Sequence, residues 1–186
     1  LDNNILCIAE KSVVAMRQIE PQLVQEMVKA GCILLENQQD IQRLVDLTVL
    51  PNGTPNKKFV GKNASVILDA AHIPYNGDPR LIIMRAPKNH PFAVIEMLMP
   101  ILPVVTVDSF DEGLDVCLML EAGLHHTATM HSLNMERLNR MARKMKTSIF
   151  VKNGPSYAGL GFSGEGTTTF TIATPTGEST TSARCF

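Results

Sequence analysis

Leu81-Ile82-Ile83-Met84, entered from a Pro- and Gly-containing turn at 74–79, and Val104-Val105-Thr106-Val107 decide the fold. Both are short, continuous apolar or β-branched runs, the signature of strands covered on both faces. Helical spacing follows each new run. Leu114, Cys117 and Leu118 share a helix face, and Thr127-Ala128-Thr129-Met130 reads as the next strand. Leu138, Met141, Ala142 and Met145 mark a further helix, and Ser148-Ile149-Phe150-Val151 a further strand. Strands alternating with helices over residues 80–152 predict an α/β fold, a mainly parallel sheet with helices on both faces.

Working towards the N-terminus, residues 12–16 (SVVAM) read as a strand. After Glu20-Pro21, the residues Leu23, Met27, Ala30 and Leu34 recur at helical spacing, with Pro21 suited to a first turn and Gly31 interrupting the pattern. Ile41, Leu44, Val45 and Thr48 give a shorter helix, and residues 50–58 a loop. Asn63 is placed to cap a helix through Ala71, with Val66, Ile67, Ala70 and Ala71 on one face. From residue 154 onward the chain turns rich in Gly, Thr and Pro, with one β-prone run at 167–172. No internal repeat is present, and the length of 186 residues is that of one domain, residues 1–186.

Seventeen basic against 18 acidic residues leave a formal charge of −1, so no general basic field exists for nucleic acid. The cluster Arg137, Arg140, Arg143, Lys144 and Lys146 reads as the solvated face of an amphipathic helix. The most apolar stretch, 92–105, is broken by Glu96, Pro100 and Pro103 and is short of a bilayer span, so no membrane partner is expected. The opening Leu1-Asp2-Asn3-Asn4 lacks the pattern of a secretory leader and an initiator Met, as expected of a piece of a longer chain. Cys7, Cys32, Cys117 and Cys185 form no CxxC pair, which points to reduced thiols in a cytoplasmic setting. His125, His126 and His131 have no Cys or acidic partner at ligand spacing, so no metal is expected.

Cys7 lies in a polar turn ahead of the first strand, where a substrate can reach it; a buried small hydrophobe is the competing reading. Nucleophilic work requires thiolate, hence amide donors or positive charge nearby, and Lys11 is the nearest cation in sequence. Cys117 is in step with a helical core face. Gly159-Leu160-Gly161-Phe162-Ser163-Gly164 matches the dinucleotide fingerprint in form, but a strand-former follows where the fingerprint requires a helix, leaving a flexible turn. Glu96, inside an apolar segment, is either a buried salt-bridge partner or a contact for ligand hydroxyls.

At this point a resemblance emerges. Asp2-Asn3-Asn4-x-x-Cys7 followed by Ala9-Glu10-Lys11 resembles the catalytic-cysteine segment of the CoA-acylating aldehyde dehydrogenases of propanediol and ethanolamine utilisation. Further blocks agree in order: Phe59-Val60-Gly61-Lys62; His90-Pro91-Phe92 through Glu96, Met99, Pro100, Ile101, Leu102 and Pro103; Ser148-Ile149-Phe150-Val151-Lys152-Asn153; Gly164-Glu165-Gly166; and Thr174-Pro175-Thr176-Gly177-Glu178. Ser179 and Cys185 depart from the family pattern.

The resemblance implies that Cys7 is the nucleophile, attacking an aldehyde to form a thiohemiacetal that becomes a thioester and is passed to coenzyme A. It implies that Glu96 holds the nicotinamide-ribose hydroxyls of NAD, and that Leu98 stands where hydrolytic relatives carry Phe against that cofactor. It places Asn153, Pro155, Ser156 and Tyr157 on the loop bordering the acyl pocket. It further implies a catalytic domain whose N-terminal nicotinamide-binding partner is absent from this chain. Such a piece is expected to fold alone yet turn over little, and its full-length protein to be a homo-oligomer, cytoplasmic or encapsulated in a bacterial microcompartment. Two rival readings are a hydrolytic, acid-forming aldehyde dehydrogenase and a non-catalytic α/β assembly module.

Overall fold

A computed structural model describes residues 2–162. The blocks from Gly164 onward, the run at 167–172, Ser179 and Cys185 lie outside them. The chain forms two compact units, one of Leu1–Cys7 and Lys11–Gly113, the other of Ile8–Glu10 and Leu114–Phe186.

The first unit is built on strands β1 (Val13–Met16), β2 (Cys32–Leu35), β3 (Leu81–Arg85) and β4 (Ile101–Val107), all parallel, in the order β1-β4-β3-β2. Alternation along the strands feeds two cores. Leu35, Ile82, Met84 and Ile101 pack with helices α2 (Gln38–Thr48) and α3 (Ala64–Ala70) and the short α4 (Pro91–Val94). Ile83, Leu102, Val104 and Ala15 face the other way, against Val24 of α1 (Glu20–Lys29). Helices therefore cover both faces, as the sequence predicts.

Three local expectations change. Residues 32–35 are not the tail of the first helix: Gly31, at φ +100°, ends α1 and releases Cys32 to Leu35 as β2. Four consecutive apolar residues satisfy a strand flanked by two apolar layers, which outweighs the helical spacing of Leu34. In α3 the buried residues are Ala64, Ile67 and Leu68, whereas Val66 is 46% exposed, so the inward face is turned from the one predicted. Asn63 starts α3, but its side chain makes no capping bond; its Oδ1 accepts from the Asn3 amide instead.

β4 begins at Ile101, earlier than predicted, and carries Pro103 inside a central strand. Proline is tolerated there because its missing donor has no partner to lose. Pro100 and Val104 give their carbonyls to β3 and its extension, and Val107 gives its carbonyl to Arg17 beyond β1, so odd-numbered residues of β4 face β1. The β1 register starts at Val13↔Val104, and a donor at 103 would reach back to residue 11, ahead of that strand.

In the second unit, α5 (Phe110–Glu121) continues from the first, and β5 (Thr127–Met130) and β6 (Ile149–Lys152) form a parallel pair. Helix α6 (Met135–Met145) is capped by Asn134, whose Oδ1 accepts the Arg137 N–H at 3.0 Å, and it buries Leu138, Met141 and Met145. Its basic residues lie off that stripe. A 3₁₀ helix (Ser156–Leu160) replaces the flexible turn expected around Gly159: the close approach to Ile149 and Val151 requires Gly159, and Gly161 ends the helix at φ +85°.

Candidate active site

Asp2-Asn3-Asn4-Ile5 forms a turn closed by the Ile5 N–H to the Asp2 carbonyl at 3.3 Å, with φ +55° at Asn3 and +59° at Asn4. Positive φ at both central positions defines a type I′ turn, and Asn tolerates that region better than other side-chain-bearing residues. The Asp2 carboxylate braces it from within, accepting the N–H of Asn4 at 3.2 Å and of Leu6 at 2.7 Å. Asn3 Nδ2 braces it from outside, donating to the Gly61 carbonyl at 3.1 Å and to Asn63 Oδ1 at 2.9 Å. The Ile5 side chain lies over Gly61, with Cδ1 2.5 Å from where a Cβ would stand.

Cys7 emerges from this turn exposed and unoxidised, so the buried-hydrophobe reading fails. Partial burial pushes its thiol upward most, the nearby Glu96 carboxylate adds to that, and its own backbone N–H acts the other way. Among the described residues, the causes that act on this thiol are burial, its own backbone and Glu96, which together raise it and do not supply the expected activation. Cys32 faces the α1 core from β2, and burial raises its thiol. Burial pushes Cys117 up to about 11.

Glu96 is exposed, which corrects the buried salt-bridge reading. After α4 ends, Met97 and Met99 turn inward at 4% and 0% exposure, and the residues between and before them turn out. No ion pair or hydrogen bond reaches the Glu96 carboxylate among the described residues, which leaves its oxygens open to hydroxyl donors. Leu98 is half-buried and held at φ +54°, a strained setting for a residue with a branched side chain. Its carbonyl accepts the Gly61 N–H at 2.9 Å. Gly61 thus links the Cys7 turn to the Glu96–Leu98 segment, a role that reading the sequence alone misses although both residues lie in recognisable blocks.

In the second unit, Asn153, Pro155, Ser156 and Tyr157 lie on one run after β6. Asn153 sits at φ +56°, and its side chain is committed to Ser132, accepting the N–H at 2.7 Å and donating to the carbonyl at 3.0 Å. Pro155 precedes the 3₁₀ helix and is exposed. Ser156 is fully buried; its N–H donates to Glu10 Oε1 at 3.0 Å, and its Oγ has no partner among the described residues. His125 Nδ1 is likewise buried and unpartnered among them, a feature the metal-spacing test did not address. No group of His, Cys, Asp and Glu able to hold a metal occurs among the described residues, and no described helix is long and apolar enough to cross a membrane.

No family model matches the chain. Relatives do. The chain is 53% identical over 186 residues to a propanal dehydrogenase (CoA-propanoylating) of Citrobacter freundii, covering 100% of this chain and 40% of that protein. The Rhodopseudomonas palustris propionaldehyde dehydrogenase, solved with bound propionyl-CoA, superposes with a TM-score of 0.92 at 44% identity, over 99% of this chain and 41% of that one. The propionaldehyde dehydrogenase of the Clostridium phytofermentans fucose-utilisation microcompartment, solved with one histidine replaced by alanine, superposes with a TM-score of 0.92 at 42% identity, over 99% and 42%. All three are aldehyde dehydrogenases, and the two solved structures share this fold. The chain belongs to the CoA-acylating family among them, and spans about two fifths of the length of those relatives.

Proposed function

We propose that the chain is the cysteine-bearing catalytic domain of an enzyme that oxidises a short aliphatic aldehyde to its acyl-CoA with NAD. The observation that carries this reading is 53% identity to a CoA-propanoylating enzyme along the whole chain, with Cys7 standing exposed on a braced turn. The Cys7 sulfur adds to the aldehyde carbonyl, giving a thiohemiacetal once the oxygen takes up a proton. A bound NAD would supply the hydride acceptor that turns the Cys7 adduct into a thioester. The thiol of coenzyme A then displaces Cys7 from the acyl carbon. Aldehyde, NAD and coenzyme A are thereby converted to acyl-CoA, NADH and a proton.

The exposed Glu96 carboxylate, open to hydroxyl donors among the described residues, fits the nicotinamide ribose, and Leu98 forms a wall beside it. Asn153, Pro155, Ser156 and Tyr157 are proposed as acyl-pocket residues on the strength of the family resemblance, with the Asn153 side chain held by Ser132. The full-length protein is proposed to be a homo-oligomer housed in a bacterial microcompartment, since one close structural relative comes from such a compartment.

Turnover of propanal by the full-length enzyme tests the reading. Cys7→Ala should abolish NADH and acyl-CoA formation together, and omitting coenzyme A from the wild type should stall turnover. Release of free propanoate at an undiminished rate without coenzyme A would replace this reading with the hydrolytic one.

A further inference from the structure

Cys7 and Glu96 have separate tasks, one on the aldehyde and one on the cofactor, yet hydride transfer demands that they be held in a fixed relation. Backbone and side-chain hydrogen bonds provide a path between them. Asn3 Nδ2 has two protons and uses both, one on the Gly61 carbonyl at 3.1 Å and one on Asn63 Oδ1 at 2.9 Å. Gly61 in turn gives its N–H to the Leu98 carbonyl at 2.9 Å. Nothing larger than glycine suits position 61, because φ is +70° and Ile5 fills the space a Cβ would need.

We propose that Asn3 is a positioning residue for hydride transfer, setting the Cys7 turn against the Glu96–Leu98 segment through Gly61. The inference rests on the proposed roles of Cys7 and Glu96. Its chemical content is alignment: the carbon attached to Cys7 must present its hydrogen to a nicotinamide placed by Glu96, and a misplacement of about 1 Å costs on the order of a hundredfold in rate. A small alkylating reagent needs the sulfur alone and is indifferent to that alignment. This difference separates positioning from mere structural support.

The test uses the full-length enzyme with Asn3→Gly, which keeps the left-handed turn accessible while deleting the amide. The expected result is a fall in kcat for propanoyl-CoA formation of about tenfold or more, with a raised KM for NAD. Alkylation of Cys7 by iodoacetamide should stay within about twofold of wild type. Should Asn3→Gly fail to fold, Asn63→Ala, which removes only one of the two acceptors, should lower kcat about two- to fivefold with alkylation unchanged. Wild-type kcat and KM in these variants overturn the proposal, as does a loss of alkylation equal to the loss of kcat. Cys7→Ala run alongside separates the levels: retained activity there sinks the assignment of the nucleophile, whereas an inactive Cys7→Ala beside a fully active Asn3→Gly sinks only the role of Asn3.

Discussion

Gly159→Ala is a small change with a calculable result. The 3₁₀ helix lies so close to β6 that an added Cβ would overlap Ile149 Cγ2 and come within 3.3 Å of Val151 Cγ2. Ile149 is fully buried and paired with Thr127, and Cγ2 branches directly from its Cβ, so it cannot swing aside as the end of a long side chain would. Overpacking of this sort costs about 1–3 kcal/mol, and the upper end applies to so immobile a neighbour. Alanine's stiffer unfolded chain offsets at most about 1 kcal/mol, leaving a net loss of about 2 kcal/mol. For a chain of this size that corresponds to a fall in Tm of about 4–8 °C. Ile149→Ala alone should cost about 2–5 kcal/mol while opening the space that the added methyl at position 159 requires. The decisive assay is a double-mutant cycle by urea unfolding. The double variant should be more stable than the sum of the single losses predicts, by about 3 kcal/mol, the overlap energy. Additive losses, or a neutral Gly159→Ala, would refute the reasoning.

Three further outcomes are expected. At pH 8 only about one Cys117 thiol in a thousand is ionised, given a pKa of about 11, so iodoacetamide should label the exposed Cys7 faster; comparable rates by mass spectrometry would contradict the site. Glu96→Gln removes a negative charge that raises the Cys7 pKa, so the pH–alkylation curve should move to lower pH while NAD binding weakens; a shift to higher pH would show the sign to be wrong. Arg85→Leu leaves Glu20 without its 2.8 Å partner at 8% side-chain exposure. With Arg85 itself 45% exposed, the loss should be about 1–2 kcal/mol in chemical unfolding, partly restored by adding Glu20→Gln.

The strands from Leu81 onward were legible because β-branched and aliphatic runs between turn residues have few alternatives. The segment 32–35 was not, since Leu34 falls at helical spacing from Ala30 and only the left-handed Gly31 breaks the series. For Glu96 the apolar neighbours left a buried salt bridge open beside a ligand contact; the actual chain is irregular there and turns the carboxylate outward, which no periodicity rule anticipates. Cys7 could be singled out from its turn and its family-like surroundings. The brace around it could not, because Asn3 and Gly61 lie 58 residues apart, and hydrogen bonds across such a separation leave no local trace.

Pro103 has an effect beyond its own strand. Along the border of β4 that faces β1, Pro103 offers no hydrogen, and the one on Ile101 is already given to the Met99 carbonyl at 2.8 Å. A pleated ribbon zipping backward from Val13 would therefore find no donors on β4 past that point. The ladder with β1 starts at Val13, and the ring at 103 removes one of the two donors that a longer β1 would have needed from the strand beside it.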